Sequence, residues 1–209
     1  MNQSLIKICQ QAVSLSRESK SSLPQSILDI EGMSSDKVRH MLSNLTTDLN
    51  SYIEIGVWKG STFLSATHGK MNLQAVAIDN WSEFGGPVDT FKSNLWKYRK
   101  EITDDITLFE SDFHNVQLPL NHFQCLFYDG SHDEQAQCDA IVHMSQFMHD
   151  EFIYVVDDYC WPSVSAGTVK GLKAANLEVE WEVELESFAL NDRINYWNGM
   201  LVSVLKKMY

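Results

Sequence analysis

The chain has 209 residues, of which 44% are hydrophobic and 21% are charged, as expected for a folded globular protein. Its length suits one α/β domain with a sizeable core, and no internal repeat, linker or low-complexity tract divides it. The formal net charge of -12 argues against nucleic acid as the main partner, because neutralising a phosphate backbone requires clustered Lys and Arg. The N-terminal region lacks an uninterrupted apolar stretch, so we expect neither a signal peptide nor a membrane span.

The N-terminal part of the chain is predicted to be a helical cap of residues 1–48 on a main domain of residues 49–209. Ser34 or Ser35 can cap its second helix. We expect the cap to cover a sheet edge or the site, and dimer contacts are an equal alternative. The apolar positions at helical spacing are Leu5, Ile8, Ala12 and Leu15 in the first helix, and Val38, Met41, Leu42 and Leu45 in the second.

From residue 51 onward, short apolar runs alternate with helix-like stretches, and five of these runs end on a carboxylate. They are rich in β-branched and aromatic residues, which is typical of buried strands in a parallel sheet. Because open α/β sheets bind ligands beyond the carboxyl ends of their strands, the five acidic ends should meet at one mouth that favours a cationic ligand or a metal ion. The runs are Ser51–Glu54, Gln74–Asp79, Ile106–Asp112, Cys125–Asp129 and Phe152–Asp157.

The C-terminal part of the chain predicts a loop containing Trp161 and Pro162, a short helix over residues 167–175, and two further strands. These strands, over residues 179–188 and 199–205, are separated by a short polar loop that favours a hairpin. The predicted fold class is therefore α/β: a Rossmann-like, doubly wound, mixed sheet of seven strands with an antiparallel C-terminal hairpin.

A glycine-containing loop, Glu54–Thr62, follows the first strand and opens a helix. Gly56 permits a tight turn, Gly60 permits close approach of strand and helix, and Ser61 or Thr62 can cap the helix. A dinucleotide fingerprint needs a further glycine between these two, so that backbone amides reach a pyrophosphate, and that glycine is absent. The Glu54 carboxylate at the start of the loop suits a positively charged group better than a pyrophosphate.

Two later acids extend this pattern. Asp79 lies nineteen residues after Gly60 at the end of the second strand, where an acid can accept hydrogen bonds from both ribose hydroxyls. Asp112, at the end of the third run, can bind an adenine amino group, and Trp81 is the best candidate to stack on adenine. Each acid alone could equally cap a helix or end a strand, but their succession after a glycine turn favours a cofactor site.

A second acidic group is predicted where the fourth and fifth runs end, at Asp129 and at Asp157 and Asp158. Two like charges ~4 Å apart repel by roughly 4 kcal/mol at an effective dielectric near 20. Such a trio either raises its own pKa values or recruits a cation, and oxygen ligands suit a hard divalent ion such as Mg²⁺. His132, three residues after Asp129, is the histidine that should lie beside this group.

The E-x-G-x-x-x-G loop, Asp79 and the Ser111–Asp112 pair occur in the order seen in class I S-adenosylmethionine-dependent methyltransferases. The chain most resembles the family 24 small methyltransferases, which include macrolide-sugar O-methyltransferases. The resemblance spans about residues 32–205, and Trp58 stands where many class I enzymes carry a glycine. It implies methyl transfer to a hydroxyl of a small-molecule acceptor, with S-adenosylmethionine and Mg²⁺ as cofactors.

The resemblance also implies roles for particular residues. His132 would act as the base of a D-x-x-H motif, with an unperturbed pKa near 6.5 that suits proton removal at neutral pH. The implied metal ligands are Asp129, Asp157 and Asp158. The implied cofactor-binding residues are Glu54, Gly56, Trp58, Gly60, Ser61, Asp79, Asn80, Trp81, Asp112, Phe113 and Asp129.

Other function classes stay open at this point. The Asp157–Asp158 pair resembles the metal-binding acids of nucleotide-sugar transferases, although no basic cluster accompanies it. A non-catalytic relative could keep the fold and bind only the cofactor or a partner chain. A nicotinamide oxidoreductase is disfavoured by the missing phosphate turn. The cysteines, without metal-ligand spacing, are expected to be reduced, mostly buried thiols of a cytoplasmic protein.

Overall fold

In the computed structural model, which describes residues 4–209, seven strands form one sheet with helices on both faces. The first three residues of the predicted N-terminal cap lie outside this range. The strands are β1 (Ser51–Ile55), β2 (Gln74–Asp79), β3 (Ile106–Glu110), β4 (Phe123–Tyr128), β5 (Met148–Asp157), β6 (Leu177–Leu185) and β7 (Met200–Lys207). The helices are α1 (Leu5–Arg17), α2 (Gln25–Leu28), α3 (Asp36–Leu45), α4 (Ser61–Thr67), α5 (Val88–Tyr98), α6 (Glu134–Met144) and α7 (Pro162–Ala174).

The strand order is β3-β2-β1-β4-β5-β7-β6, with β1 to β5 parallel and β7 antiparallel to both β5 and β6. This arrangement confirms the predicted mixed sheet and its C-terminal hairpin. The chain winds outward from β1 to β3, then returns to the other side of β1 to form β4. A crevice therefore opens between the carboxyl ends of β1 and β4, where open α/β sheets bind their ligands.

The two faces of the sheet bury separate apolar clusters. One face packs against α1, α3, α4 and α5, and includes Tyr52 and Phe63. The other packs against α6 and α7, and includes Ile141 and Val164. Full burial of a side chain of this size stabilises the fold by roughly 1.5–3 kcal/mol. Because both faces are covered, the central parallel strands are nearly continuous apolar runs, as the sequence predicted.

The N-terminal helices cover one face of the sheet rather than an edge. The Ser35 hydroxyl caps α3 by accepting a hydrogen bond from the backbone N–H of Val38, as predicted. The four predicted inner residues of α3 are all fully buried, and α1 packs on α3 and against β7. The cap therefore extends the core and brings α3 against α4, directly behind the glycine-containing loop.

Several predicted element boundaries were wrong, those of α7 and β3 among them. Helix α7 begins at Pro162, five residues before the predicted start, because proline at the first helical position loses no hydrogen bond. Strand β3 ends at Glu110 rather than Asp112, because Asp112 accepts a hydrogen bond from the His114 backbone and caps a short 3₁₀ helix.

Two further predictions concern the burial of the cysteines and the presence of membrane-spanning helices. All four cysteines are free thiols, and Cys160 is exposed whereas Cys9, Cys125 and Cys138 are buried. Within residues 4–209, no helix combines the length and apolar character needed to cross a bilayer.

Candidate active site

A cavity of ≈250 Å³ opens at the carboxyl ends of the central strands, between the loops that follow β1, β2, β3 and β4. Its volume lies just below the range of roughly 300–1,000 Å³ that is common for small-molecule sites. Exposed Phe84, from the loop after β2, forms part of its rim. Eight of the predicted cofactor-binding residues line it: Gly56, Trp58, Asp79, Asn80, Trp81, Asp112, Phe113 and Asp129.

The glycine-containing loop lies against the backbone of the neighbouring strand end. Gly56 has φ +89°, and a Cβ atom there would lie 1.9 Å from the carbonyl oxygen of Asp129. Gly60, with φ +90°, occupies the N-cap position of α4. The prediction that Ser61 or Thr62 caps this helix was wrong, because α4 has no side-chain cap and the Thr62 hydroxyl donates to Glu54 instead.

We expect Gly56→Ala to destabilise the fold by more than the roughly 1–2 kcal/mol that a left-handed conformation costs a residue with a Cβ. Its methyl group would also overlap the Asp129 carbonyl. Gly69→Ala is the matched control, because Gly69 has φ +72° and, apart from its chain neighbours, no atom of residues 4–209 lies within 4 Å of the place its new methyl group would take. Urea unfolding of both variants measures the difference, and equal destabilisation would show that the close contact with Asp129 is unimportant.

Glu54 is placed differently from its prediction at the mouth of the site. It lies inside β1 rather than at its end and is fully buried. Its carboxylate accepts hydrogen bonds from the Tyr52 hydroxyl at 2.6 Å and from the Thr62 hydroxyl at 2.5 Å. Because alternate side chains share one face of a strand, Glu54 points with Tyr52 toward α4 and not into the cavity. Glu54, Gly60 and Ser61 are thus the predicted cofactor-binding residues that do not line the cavity.

Burial raises the pKa of Glu54 from 4.5 to about 7. Between these values the folded protein holds a proton that the unfolded chain has released, so the free energy of unfolding falls as the pH rises, by about 3 kcal/mol in total. We expect Glu54→Gln to remove this part of the pH dependence. Unfolding both proteins in urea between pH 4.5 and 8 measures it, and parallel stability curves would contradict the raised pKa.

The Asp79 carboxylate connects two loops that border the cavity. It accepts hydrogen bonds from the backbone N–H groups of Trp58 at 2.8 Å and Trp81 at 2.7 Å. The indole N–H of Trp81 donates to the Trp58 carbonyl oxygen at 2.9 Å. These bonds hold both tryptophans at positive φ, 42° and 47°, which is unfavourable outside glycine. Each Asp79 oxygen has a further lone pair, so acceptor capacity remains.

The Asp112 carboxylate contacts His114 in its own segment of the chain. It accepts a hydrogen bond from the His114 backbone at 2.9 Å, and its Oδ1 lies 2.6 Å from His114 Nδ1. The backbone hydrogen bond is the main reason that the pKa of Asp112 is lowered. Phe113 stacks on the His114 ring at 4.0 Å and meets Tyr128 edge-on at 6.2 Å. Aromatic rings thus form the wall of the cavity on this side.

The predicted acidic trio comes together beside the cavity. One carboxylate oxygen from each of Asp129, Asp157 and Asp158 lies within 4.8 Å of the others. Burial, followed by repulsion from neighbouring acids, raises the pKa of Asp129 and of Asp157 well above the usual range. Both Asp157 oxygens are buried without a hydrogen-bond partner among residues 4–209. Buried carboxylates in this state favour either a proton or a bound cation.

His132 lies beside this trio, as predicted. Its Nε2 is 2.6 Å from Asp158 Oδ2, and its ring centroid is 4.9 Å from that of Trp161. The predicted unperturbed pKa was wrong: the pKa of His132 is raised, first by the hydrogen bond to Asp158, because a carboxylate stabilises the imidazolium. With Nε2 toward Asp158, Nδ1 is the ring nitrogen directed away from the carboxylate.

Asn198 and Glu83 are among the residues near the site that the sequence analysis missed. The Asn198 side chain donates a hydrogen bond to Asp158 Oδ1 at 2.7 Å from the loop between β6 and β7. Glu83 lines the cavity and adds to the rise in the His132 pKa. The only sequence feature that pointed to Asn198 was its place as a polar residue directly before the glycine that starts the last predicted strand. No sequence feature pointed to Glu83.

Comparison with known proteins agrees with this fold. A protein-family model described as "Methyltransferase domain" matches residues 53–159, which is 107 of the 209 residues. No curated protein sequence matches the chain. The matched segment runs from β1 to the turn after β5, and therefore contains the glycine loop, His132 and the acidic trio.

Solved structures share the fold at low sequence identity. A candidate RNA methyltransferase from Pyrococcus horikoshii aligns with a TM-score of 0.60 at 11% identity, covering 95% of this chain and 96% of that chain. A candidate O-methyltransferase from Klebsiella pneumoniae has a TM-score of 0.57 at 11% identity, with 96% and 90% covered. An SAH-bound methyltransferase from Podospora anserina has a TM-score of 0.61 at 12% identity, with 97% and 88% covered.

The family match covers more than half of the chain, and the aligned structures share its fold. The chain therefore belongs to the methyltransferase domain family, and it shares its fold with an SAH-bound methyltransferase.

Proposed function

We propose that this enzyme transfers a methyl group from S-adenosylmethionine to a hydroxyl group of a small-molecule acceptor, with Mg²⁺ or another divalent cation and with His132 as the base. The observation that carries the proposal is the meeting of three carboxylates and one imidazole beside the cavity at the strand ends. In this proposal residues 49–209 form the transferase domain, and residues 1–48 form a cap on it.

The cofactor would occupy the cavity between the loops after β1 and β2. Asp79 would accept hydrogen bonds from the ribose hydroxyls through its remaining lone pairs, and Asn80 would lie beside it. Trp81, Asp112 and Phe113 would surround the adenine. The lining residues Gly56, Trp58 and Asp129 would contact the rest of the cofactor, while Glu54, Gly60 and Ser61 would shape the loop from behind.

The acidic trio fits a hard divalent cation. Asp157 presents two buried oxygens without hydrogen-bond partners among the residues described, which is the state that a cation would relieve. Asp129 is half-buried at the cavity wall, so it can reach a ligand shared with the acceptor. Asp158 Oδ1 accepts a hydrogen bond from Asn198, Oδ2 lies beside His132 Nε2, and both oxygens keep further lone pairs. Oxygen donors of this kind suit Mg²⁺, with water completing the coordination.

When bound, the cofactor supplies an electrophilic methyl group, and the cation supplies positive charge that lowers the pKa of a coordinated hydroxyl. In the proposed reaction His132 accepts the hydroxyl proton at Nδ1, because its Nε2 faces Asp158. Asp158 stabilises the imidazolium that results, in line with the raised pKa of His132. The cavity residues contribute alignment, because methyl transfer needs the acceptor oxygen in line with the methyl group.

The charge of the protein favours a small acceptor over RNA. The net charge is -12, and the site itself presents several carboxylates, which would repel a phosphate backbone. A neutral or cationic hydroxyl compound meets no such repulsion. The likeness to a candidate RNA methyltransferase concerns the fold, at 11% identity.

Calorimetric titration with S-adenosylhomocysteine, UDP-glucose and NAD, each with and without Mg²⁺, tests the proposed function against its rivals. We expect S-adenosylhomocysteine to bind with or without the cation, and the two other nucleotides not to bind. Mg²⁺-dependent binding of UDP-glucose would favour a nucleotide-sugar transferase. Absence of S-adenosylhomocysteine binding would reject the proposal.

A further inference from the structure

The Asn198 side chain is held in one orientation. It lies at the end of the loop formed by residues 186–199 and is 6% exposed. Its Oδ1 accepts a hydrogen bond from the backbone N–H of Asn191 at 2.7 Å. Because that oxygen is already paired with a donor, Nδ2 must be the atom that faces Asp158, where it donates to Oδ1 at 2.7 Å.

Asp158 occupies a conformation that needs support from outside its own segment. It follows β5 with φ +56°, in the left-handed region that residues with a Cβ rarely adopt. The turn is joined to the end of the 186–199 loop by two backbone hydrogen bonds, from Tyr159 N–H to Gly199 O at 3.0 Å and from Cys160 N–H to Asn198 O at 3.1 Å. The loop therefore fixes both the backbone and the carboxylate of Asp158.

The carboxylate connects this loop to the imidazole. Asn198 binds Oδ1, and His132 Nε2 lies 2.6 Å from Oδ2, so the two contacts together define the rotation of the carboxylate group. Asp158 is 5% exposed, and hydrogen bonds are stronger in such a low-dielectric environment than in water. Without the Asn198 amide, the Asp158 carboxylate would lose its hydrogen bond at Oδ1, and the contact with His132 at Oδ2 alone would not fix its rotation.

We propose that Asn198 is a positioning residue, which acts through Asp158 to set the orientation of the His132 ring. The inference rests on the proposed function, because it assigns to the ring the role of base. Asn198 lies outside residues 53–159, the segment that matches the family model. This role of Asn198 also gives the loop between β6 and β7 a part in the chemistry, in addition to any contact with the acceptor.

The loop has anchors that do not involve the Asn198 side chain, so its removal should leave the fold intact. The Ser35 hydroxyl of the N-terminal cap donates to Asn195 O. Lys37 Nζ donates to Asn195 Oδ1 at 3.1 Å. Asp192 accepts hydrogen bonds from three backbone N–H groups of the loop, those of Phe188, Ile194 and Asn195.

The test is proton and nitrogen NMR of the His132 imidazole in the metal-free protein. Asn198→Ala removes the amide, and Asn198→Asp keeps the acceptor for Asn191 N–H but replaces the donor that faces Asp158. Asn195→Ala is the matched control, because it cuts side-chain contacts of the same loop without touching Asp158. His132→Ala identifies the resonances, and S-adenosylhomocysteine affinity is measured for each variant by calorimetry.

We expect the wild type and Asn195→Ala to show the His132 Nε2-bound proton as a downfield, slowly exchanging resonance, as for a proton shared with a carboxylate. Both Asn198 variants should lose this resonance while binding S-adenosylhomocysteine as the wild type does. An unchanged resonance in Asn198→Asp, or an equal loss in Asn195→Ala, would overturn the inference. The NMR readout needs neither metal nor acceptor, so failure of S-adenosylhomocysteine binding in the wild type would instead reject the proposed function.

Discussion

Asp157→Asn is expected to abolish metal-dependent methyl transfer while S-adenosylhomocysteine affinity stays nearly unchanged. Asp157 contributes to the acidic trio two buried oxygens that have no hydrogen-bond partner among residues 4–209, and it does not line the cavity assigned to the cofactor. The Asp157 carboxylate can therefore bind a cation, and the substitution removes no contact with the nucleoside. Turnover measured against Mg²⁺ concentration and calorimetry with S-adenosylhomocysteine give the two quantities.

Thermal unfolding gives a second readout for the same variant. A ligand that binds only the folded state raises its melting temperature, so Mg²⁺ should stabilise the wild type but not Asp157→Asn. Asp104→Asn is the control, because it removes one exposed carboxylate in the turn before β3 and should respond like the wild type. Parallel loss of cofactor and cation binding in Asp157→Asn would show that the two sites are not separate.

His132→Ala is expected to lower the rate by roughly 10²–10⁴-fold, the usual contribution of a positioned general base. Affinity for S-adenosylhomocysteine should change little, because His132 lies beside the cavity and not among its lining residues. Single-turnover rates with a small panel of hydroxyl acceptors, sugars and catechols among them, measure the effect.

The control for this variant is His149→Ala, which removes an exposed histidine at the start of β5. It should retain the wild-type rate. If His132→Ala also retained the wild-type rate on its true acceptor, His132 would not be the base, and the metal alone would account for activation of the hydroxyl.

The fold could be predicted largely from local patterns. Strand β2 has the predicted bounds, Gln74–Asp79, because buried parallel strands are short apolar runs whose ends are marked by polar residues. The acids at the ends of β2, β4 and β5 were also expected at one rim, and Asp79, Asp129 and Asp157 lie there. Parallel strands bring their carboxyl ends to the same edge, so order along the chain was sufficient.

The predictions that failed depend on partners far away in the sequence. Glu54 reads as a strand-ending acid, yet β1 continues to Ile55, and the Thr62 hydroxyl from α4 pairs with the buried carboxylate. The raised pKa of His132 requires the contact with Asp158, 26 residues later along the chain. Such pairings follow from how helices and loops pack on the sheet, which no short pattern encodes.

Asn198 illustrates the same limit. Its amide bonds Asp158 across 40 positions of sequence, and the contact exists because antiparallel β7 starts beside the carboxyl end of β5. The hairpin could be predicted from the two apolar runs and the polar loop between them. The register that brings one particular asparagine to one particular aspartate could not.

A crystal structure of the protein with S-adenosylhomocysteine and Mn²⁺, used as an anomalous scatterer in place of Mg²⁺, tests the central claim most directly. The account predicts a nucleoside in the cavity after β1, with its ribose hydroxyls at Asp79, and an anomalous peak between Asp129 and Asp157. A nucleoside bound elsewhere, or a fully occupied cofactor site with no anomalous peak at the acidic trio, would contradict it.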